Sequence, residues 1–234
     1  MKTILFDLDG TLLPLKFELF FREYLKSISA YCSCLTDPRV FVEALLKCTG
    51  IMMNNDGSST NEELFMKYFL PELGLTREEI YPVLERFYSR EFCRLKEFVE
   101  PSSLPSRIVE HALNTGWQIV LATNPVFPRL AIEERMRWAG IDHFPWRYVT
   151  SYETSRACKP NLIYYREIIG KLDLCPEECW MIGNDLNEDM AAGELGMRTY
   201  LVKDYLSGQG RGCRRPDREG SLQELYELIR DSKL

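Results

Sequence analysis

The spacing of hydrophobic and polar positions changes character twice along the chain. Residues 3–6 are a short apolar run stopped abruptly by Asp-Leu-Asp-Gly-Thr, the pattern of a buried strand entering a tight turn. From about residue 16 to residue 98 the period is helical, with Phe17, Phe20, Phe21, Tyr24, Leu25 and Ile28 recurring three and four apart. Three more helical stretches follow in that segment. Asp37-Pro38 opens one that runs to about Met53, and Thr60-Asn61-Glu62-Glu63 and Thr76-Arg77-Glu78-Glu79 carry capping-box spacing ahead of the next two. From about residue 99, short apolar runs at 118–122, 148–150, 180–182 and 199–202 alternate with helical patterns at about 104–115, 128–139, 161–172, 187–195 and 221–231. Together with residues 3–6 this predicts five strands in an α/β fold, a Rossmann-like parallel sheet core with helices on both faces. Residues 1–15 and 99–234 form the core domain, and residues 16–98 an inserted all-α, four-helix domain. The 207–212 stretch, rich in glycine, is expected to be a mobile loop.

A length of 234 residues exceeds one small domain and falls short of two average ones, which suits a single domain carrying an insert. Hydrophobic residues at 45% and charged residues at 27% exclude wholesale disorder. The 35 Asp and Glu outnumber 29 Lys and Arg, so the net charge of −6 weighs against nucleic acid as a partner. No run approaches the roughly 20 apolar residues of a membrane helix, and the N-terminal run meets Asp7 before it could form a signal-peptide core. A cytoplasmic protein without a membrane partner is expected. Neither Cys32 and Cys34 nor Cys175 and Cys179 has the spacing of a zinc or redox pair, so the cysteines are expected to be free thiols.

In an open parallel sheet the ligand crevice lies outside the carboxyl ends of the strands, so residues just after each apolar run can converge. Those residues are Asp7, Asp9 and Thr11 after the first strand, Thr123 and Asn124 after the second, and Asn184, Asp185 and Asp189 after 180–182. Lys159 precedes Pro160, which suits the first position of the helix at 161–172, and its ammonium can reach the same rim. Four gathered carboxylates repel one another unless a cation sits among them, and Mg²⁺, with oxygen ligands from Asp7, Asp185 and Asp189, is the natural choice. One carboxylate free of metal could attack phosphorus, and another two residues on could protonate the leaving oxygen. Lys159, the Thr123 hydroxyl and the N–H groups of the Gly10 turn would stabilise the charge on a transferring phosphoryl group, with Thr11 and Asn124 as further phosphate contacts.

These residues resemble the motifs of the haloacid dehalogenase-like superfamily of phosphohydrolases: ILFDLDGTL, IVLATN, CKPN and MIGNDLNED appear in the family's order along the chain. The resemblance implies that Asp7 is the nucleophile and Asp9 the general acid and base. Thr123 and Lys159 would hold the phosphoryl group, and Asp185 with Asp189 would anchor Mg²⁺ beside Asp7 and the Asp9 carbonyl. It also implies that the helical insert is a mobile cap, hinged at 14–16 and 99–102. Asn184 departs from the commoner pattern, in which an acid follows the glycine directly; Asp185 is then the direct ligand and Asp189 a ligand or its neighbour. Dehalogenases and phosphonate hydrolases of the superfamily lack the acid found here at position 9, so the resemblance implies a phosphatase of small phosphorylated metabolites. A phosphomutase with the same motifs and a silent phosphate-binding module are the alternatives. His111 and His143, the aromatic stripes at 17–31 and 81–92, and the arginines at 211, 214, 215 and 218 are read as structural or solvated. The polar 54–59 loop is read as a turn that could also contact substrate.

Overall fold

The computed structural model describes residues 2–209 and 214–234. Strand β1 (Thr3–Phe6) leads into four helices, α1 (Phe17–Tyr31), α2 (Pro38–Met53), α3 (Asn61–Leu73) and α4 (Arg77–Arg86), followed by a π turn (Phe87–Glu91) and a 3-10 stretch (Phe92–Phe98). The chain then alternates: α5 (Leu104–Asn114), β2 (Gln118–Leu121), α6 (Arg129–Trp138), β3 (Tyr148–Val149), α7 (Leu162–Leu172), β4 (Cys179–Gly183), β5 (Arg198–Val202), β6 (Arg218–Gly220) and α8 (Leu222–Arg230). The six strands are parallel in the order β3-β2-β1-β4-β5-β6. The order reverses beside β1, because β2 and β3 build outward on one side and β4 begins on the other. That is where an open α/β sheet leaves its crevice.

Alternation along the strands divides the core. Ile4, Phe6, Ile119, Leu121, Trp180 and Ile182 face one apolar cluster with α5, α6 and α8, whereas Leu5, Val120, Cys179 and Met181 face another with α7. Helices therefore cover both faces. Two sequence expectations change. A sixth strand, β6, pairs with β5 at the sheet edge through Tyr200, Leu201 and Val202; its own Arg-Glu-Gly carries no apolar signal. The segment expected as a helix at 187–195 is a tight 3-10 turn over Met190–Leu195.

Helices of the insert start where their caps lie. The Asp37 side chain accepts from Arg39 N–H at 2.8 Å. The Thr60 hydroxyl accepts from Glu63 N–H at 3.2 Å while Thr60 N–H donates to the Glu63 carboxylate at 2.9 Å. Thr76 N–H donates likewise to Glu79 at 2.7 Å. The two crossings between the insert and the sheet lie side by side: Leu15 and Val99 form an antiparallel bridge, and Glu100 N–H donates to Pro14 O at 3.0 Å. Aromatic packing seats the insert on α6, with Phe92 stacked on Trp138 at 5.3 Å and Phe20 edge-on to the same ring at 6.3 Å. Among the described residues no helix is long and apolar enough to cross a membrane. The seven described cysteines are free thiols, and Cys213 lies outside the described residues.

Candidate active site

Register brings the motif residues level. Phe6 pairs with Leu121 and with Ile182, so the chain leaves all three strands at the same height. Asp7 N–H still donates to Ile182 O at 2.8 Å, and Ala122 N–H to Phe6 O at 2.7 Å, which holds Asp7 at the rim of the central strand. The next residues turn sharply: Gly10 has φ 79°, and its bare face is filled by the Asn184 side chain, so a Cβ there would overlap it. Leu13 O takes the Gly10 N–H at 2.8 Å and Leu8 O the Thr11 N–H at 3.1 Å. These two N–H groups close the turn itself.

At the centre of the site is Lys159, fully buried. Its ammonium donates to Asp7 Oδ1 at 2.9 Å and to Asp189 Oδ1 at 2.6 Å. Burial works against its charge, yet Asp189 and Asp7 outweigh burial and raise its pKa well above that of an ordinary lysine. The same burial pushes the Asp189 carboxyl up while the ammonium pulls it down. Asp189 Oδ2 accepts from Asp185 N–H at 2.9 Å, so both Asp189 oxygens are engaged within the protein. Gly183 makes this possible, because a Cβ there would overlap the Asp189 carboxylate. Pro160 does not open α7; the Lys159–Pro160 peptide is cis, and Asn161 caps the helix by accepting from Ile163 N–H at 3.0 Å.

The other predicted residues gather around this pair. Thr11 Oγ1 lies 3.2 Å from Asp7 Oδ2 and 3.0 Å from Asn184 Oδ1. Asn184 in turn donates to Tyr205 O at 2.6 Å, tying the first turn to the loop after β5. Thr123 is buried at the end of β2, where its carbonyl accepts from Thr150 Oγ1 at 2.7 Å and from Tyr164 OH at 3.0 Å. Asn124 Oδ1 accepts from Lys159 N–H at 3.2 Å, so this side chain positions the lysine backbone. Asp185 Oδ1 closes its own turn by accepting from Asn187 N–H at 2.7 Å and Glu188 N–H at 2.8 Å.

Asp9, near enough to feel the charges of Asp7 and Lys159, has a partner of its own. Its Oδ2 is ion-paired with Arg135 of α6, a side chain without solvent exposure. Burial pushes the Asp9 carboxyl up, Arg135 opposes this, and the Asp7 charge adds to it. Sequence reasoning missed Arg135, although a signal was there: it lies on the same helical face as the buried Ala131 and Ile132. It also missed Asn61, whose backbone and side chain join the insert to the loops leading to Lys159. Asn61 N–H donates to Ser155 O at 2.8 Å, and its amide nitrogen reaches Pro125 O at 3.2 Å and Ala157 O at 3.3 Å. The 54–59 loop, read from sequence as a turn, thus leads into a docking point; Asn55 donates to Asn61 Oδ1 at 2.8 Å. His111 lies in α5 against Tyr226, and His143 is exposed beside Phe144. Of the glycine-rich 207–212 stretch, Ser207 is fastened to the site, its N–H donating to Asn184 O at 2.9 Å and its carbonyl accepting from Leu186 N–H at 3.0 Å. Residues 210–212 and Arg211 of the basic patch lie outside the described residues.

Among the described residues no three Asp, Glu, His or Cys side chains converge as a ready-made metal cluster. Mg²⁺ does not need one, because it is commonly held by one or two carboxylates, with waters and substrate phosphate completing its shell. Asp7 and Asp185 suit that role: Asp7 ends the central strand, and Asp185 Oδ2 accepts no hydrogen bond from any described residue.

Three comparisons bear on this geometry. A family model described as haloacid dehalogenase-like hydrolase matches residues 1–196. Among curated proteins the chain is similar to the glyceraldehyde 3-phosphate phosphatase of Methanothermobacter thermautotrophicus, 36% identical over 75 residues, which are 32% of this chain and 33% of that protein. The match therefore spans about a third of that relative's length. Among solved structures, a HAD phosphatase from Thermococcus onnurineus aligns with a TM-score of 0.57 and 22% identity over 98% of both chains. The L-2-haloacid dehalogenase from Xanthobacter autotrophicus aligns at 0.58 and 13%, again over 98% of both. At these identities the two structures speak for the fold alone.

Proposed function

The chain belongs to the haloacid dehalogenase-like hydrolases, and from that premise we propose that it is a Mg²⁺-dependent phosphatase of small phosphorylated metabolites, working through an aspartyl-phosphate on Asp7. The observation that carries this reading is the Lys159 ammonium shared between Asp7 and Asp189 at the sheet's switch point, with a second carboxylate, Asp9, two residues from the first. A dehalogenase has no leaving oxygen to protonate and so has no use for Asp9.

In this reading Asp7 attacks phosphorus, and Asp9 protonates the departing alcohol oxygen and then takes a proton from the attacking water. Lys159 and the Thr123 hydroxyl hold the phosphoryl oxygens, and Thr11 orients Asp7. Asn124 acts through Lys159 by fixing its backbone. Mg²⁺, held by Asp7, Asp185 and the Asp9 carbonyl, would supply positive charge against the phosphate oxygens. Asp189 serves Lys159 rather than the ion. Residues 16–98 form the cap and residues 1–15 and 99–234 the core, joined at the Leu15 and Val99 bridge.

The test is phosphate release from a panel of phosphorylated metabolites and p-nitrophenyl phosphate. Release should require Mg²⁺, stop with EDTA, and fall about a thousandfold or more in Asp7→Asn. Full activity in that variant would overturn the aspartyl-phosphate. A phosphomutase would label Asp7 from a phosphate donor without net release, and a silent binding module would do neither.

A further inference from the structure

A guanidinium wholly removed from water is costly, so its partners reveal what it is kept for. Arg135 Nε donates to Ala131 O one turn earlier at 3.2 Å, and the guanidinium carbon sits 4.4 Å from the centre of the Phe127 ring. These two contacts fix the plane of the group. Nη1 then reaches Asp9 Oδ2 across 126 residues of sequence. The pairing is end-on: Asp9 Oδ1 and Arg135 Nη2 are both buried, and neither has a hydrogen-bond partner among the described residues. A buried ion pair maintained for stability alone is expected to satisfy both carboxylate oxygens, as the arginine fork readily does side-on. This one leaves an oxygen over, on the carboxylate that follows the nucleophile by two residues.

We propose that Arg135 is a positioning residue for Asp9, holding Oδ2 so that Oδ1 alone exchanges the proton with the leaving group. The inference rests on the reading of Asp9 as acid and base. In the first step an Asp7 oxygen bonds to phosphorus as the bond from phosphorus to the ester oxygen breaks, and the proton on Asp9 Oδ1 passes to that oxygen. In the second, water attacks phosphorus and its proton returns to Oδ1. The bond to Asp7 breaks and orthophosphate leaves. A carboxylate free to rotate would divide its time between two oxygens and several directions; Arg135 removes that freedom without touching the substrate.

Phenyl phosphate and p-nitrophenyl phosphate test this, because they are alike in shape and differ in how much the leaving oxygen needs a proton. The ratio of their kcat/KM values reports the first step. Asp9→Asn should lose about a hundredfold or more on phenyl phosphate and at least about tenfold less on p-nitrophenyl phosphate. Arg135→Met should show the same selective loss, Arg135→Lys should recover part of it, and Arg135→Met added to Asp9→Asn should cost nothing further. Equal losses on both esters in the Arg135 variants, or losses that add to those of Asp9→Asn, would mean a structural role and overturn the proposal. Should Arg135→Met fail to fold, Arg135→Lys decides, because an ammonium cannot reproduce the flat contact with Phe127 and must show an intermediate selective loss. If Asp9→Asn itself loses activity equally on both esters, the reading of Asp9 has failed and the proposal falls with it; an Asp9 effect without an Arg135 effect removes only the proposal.

Discussion

Glu188 is where burial beside the negative charges of the site should show as a pH dependence of stability. Burial, and then the charges of Asp189, Asp185 and Asp7, push its carboxyl up to about 8, with Lys159 opposing. Between the ordinary value of 4.5 and about 8 the folded protein therefore binds more protons at this group than the unfolded chain does. Stability must fall as pH rises through that window. In metal-free protein, the Tm of Glu188→Gln should stay level with that of wild type below pH 4.5 and exceed it by several degrees above pH 8. A constant gap between the two melting curves would assign the pH dependence to another group. Residues of this kind divide cleanly by legibility. Asp7, Asp9, Thr123, Lys159 and Asp185 could be read from sequence because each follows an apolar run or precedes a proline. Arg135 was not read as a site residue, and Asn184 was placed at the rim without a role, because their partners, Asp9 and Thr11, are far away in sequence.

Helix α3 shows the same division within one element. Its start was visible as a capping box, and Thr60→Ala should cost about 1 kcal/mol, the ordinary worth of such a cap, without altering turnover. Asn61, the next residue, has a different role. Its amide nitrogen approaches Pro125 O, Ala157 O and Cys158 Sγ, and its amide oxygen accepts from Asn55. Asn61→Ala removes the donor to Pro125 O and Ala157 O, while Asn55 keeps Ser59 O and Cys158 keeps Met52 O, and it should cost about 2–4 kcal/mol. Because Pro125 follows Asn124 and Cys158 precedes Lys159, it should also lower kcat/KM. Urea unfolding and steady-state kinetics on the two variants check both halves of the expectation. Equal behaviour of the pair would mean that the contact between insert and sheet has no bearing on the site. Strand β6 was invisible for a related reason: an edge strand is held by main-chain pairing with β5 and needs no hydrophobic side chains of its own. The turn at Met190–Leu195 was misread as a helix because Leu186 and Met190, and Ala191 and Leu195, stand four apart in sequence, a helical spacing that the 3-10 turn imitates over so short a stretch.

For the molecule as a whole, the proposed reading makes ligand binding and stability one quantity. Mg²⁺ at about a hundred times its dissociation constant should add about 2.7 kcal/mol and raise Tm by about 5–10 °C. EDTA should reverse the rise. Asp185→Asn should remove the Mg²⁺-dependent part while leaving the metal-free protein nearly as stable as wild type. Asp189→Asn should do the opposite and cost the metal-free protein about 3–5 kcal/mol, because Lys159 is left buried with one partner fewer. Differential scanning fluorimetry on the three proteins, with and without the metal, separates these outcomes. A similar loss of metal response in both variants would place Asp189 in contact with the ion.

Sequence alone determined the α/β alternation, the helical excursion after the first strand and the strand-end residues, because each is a local signal: a period of hydrophobic positions, a cap, or a turn residue within a few positions of an apolar run. It also carried the family resemblance, since the four motifs are short and their order is linear. Only the tertiary structure decided which of those polar groups touch. The parallel register set Asp7 and the chain after Ile182 at one height, and the fold delivered Lys159 between two carboxylates that are 152 and 30 residues away along the chain. Arg135 under Asp9, and Asn61 between the insert and the sheet, belong to that second class. Their side chains act through contacts between segments far apart in the chain, and no local pattern of residues specifies which distant partner a buried polar group will meet.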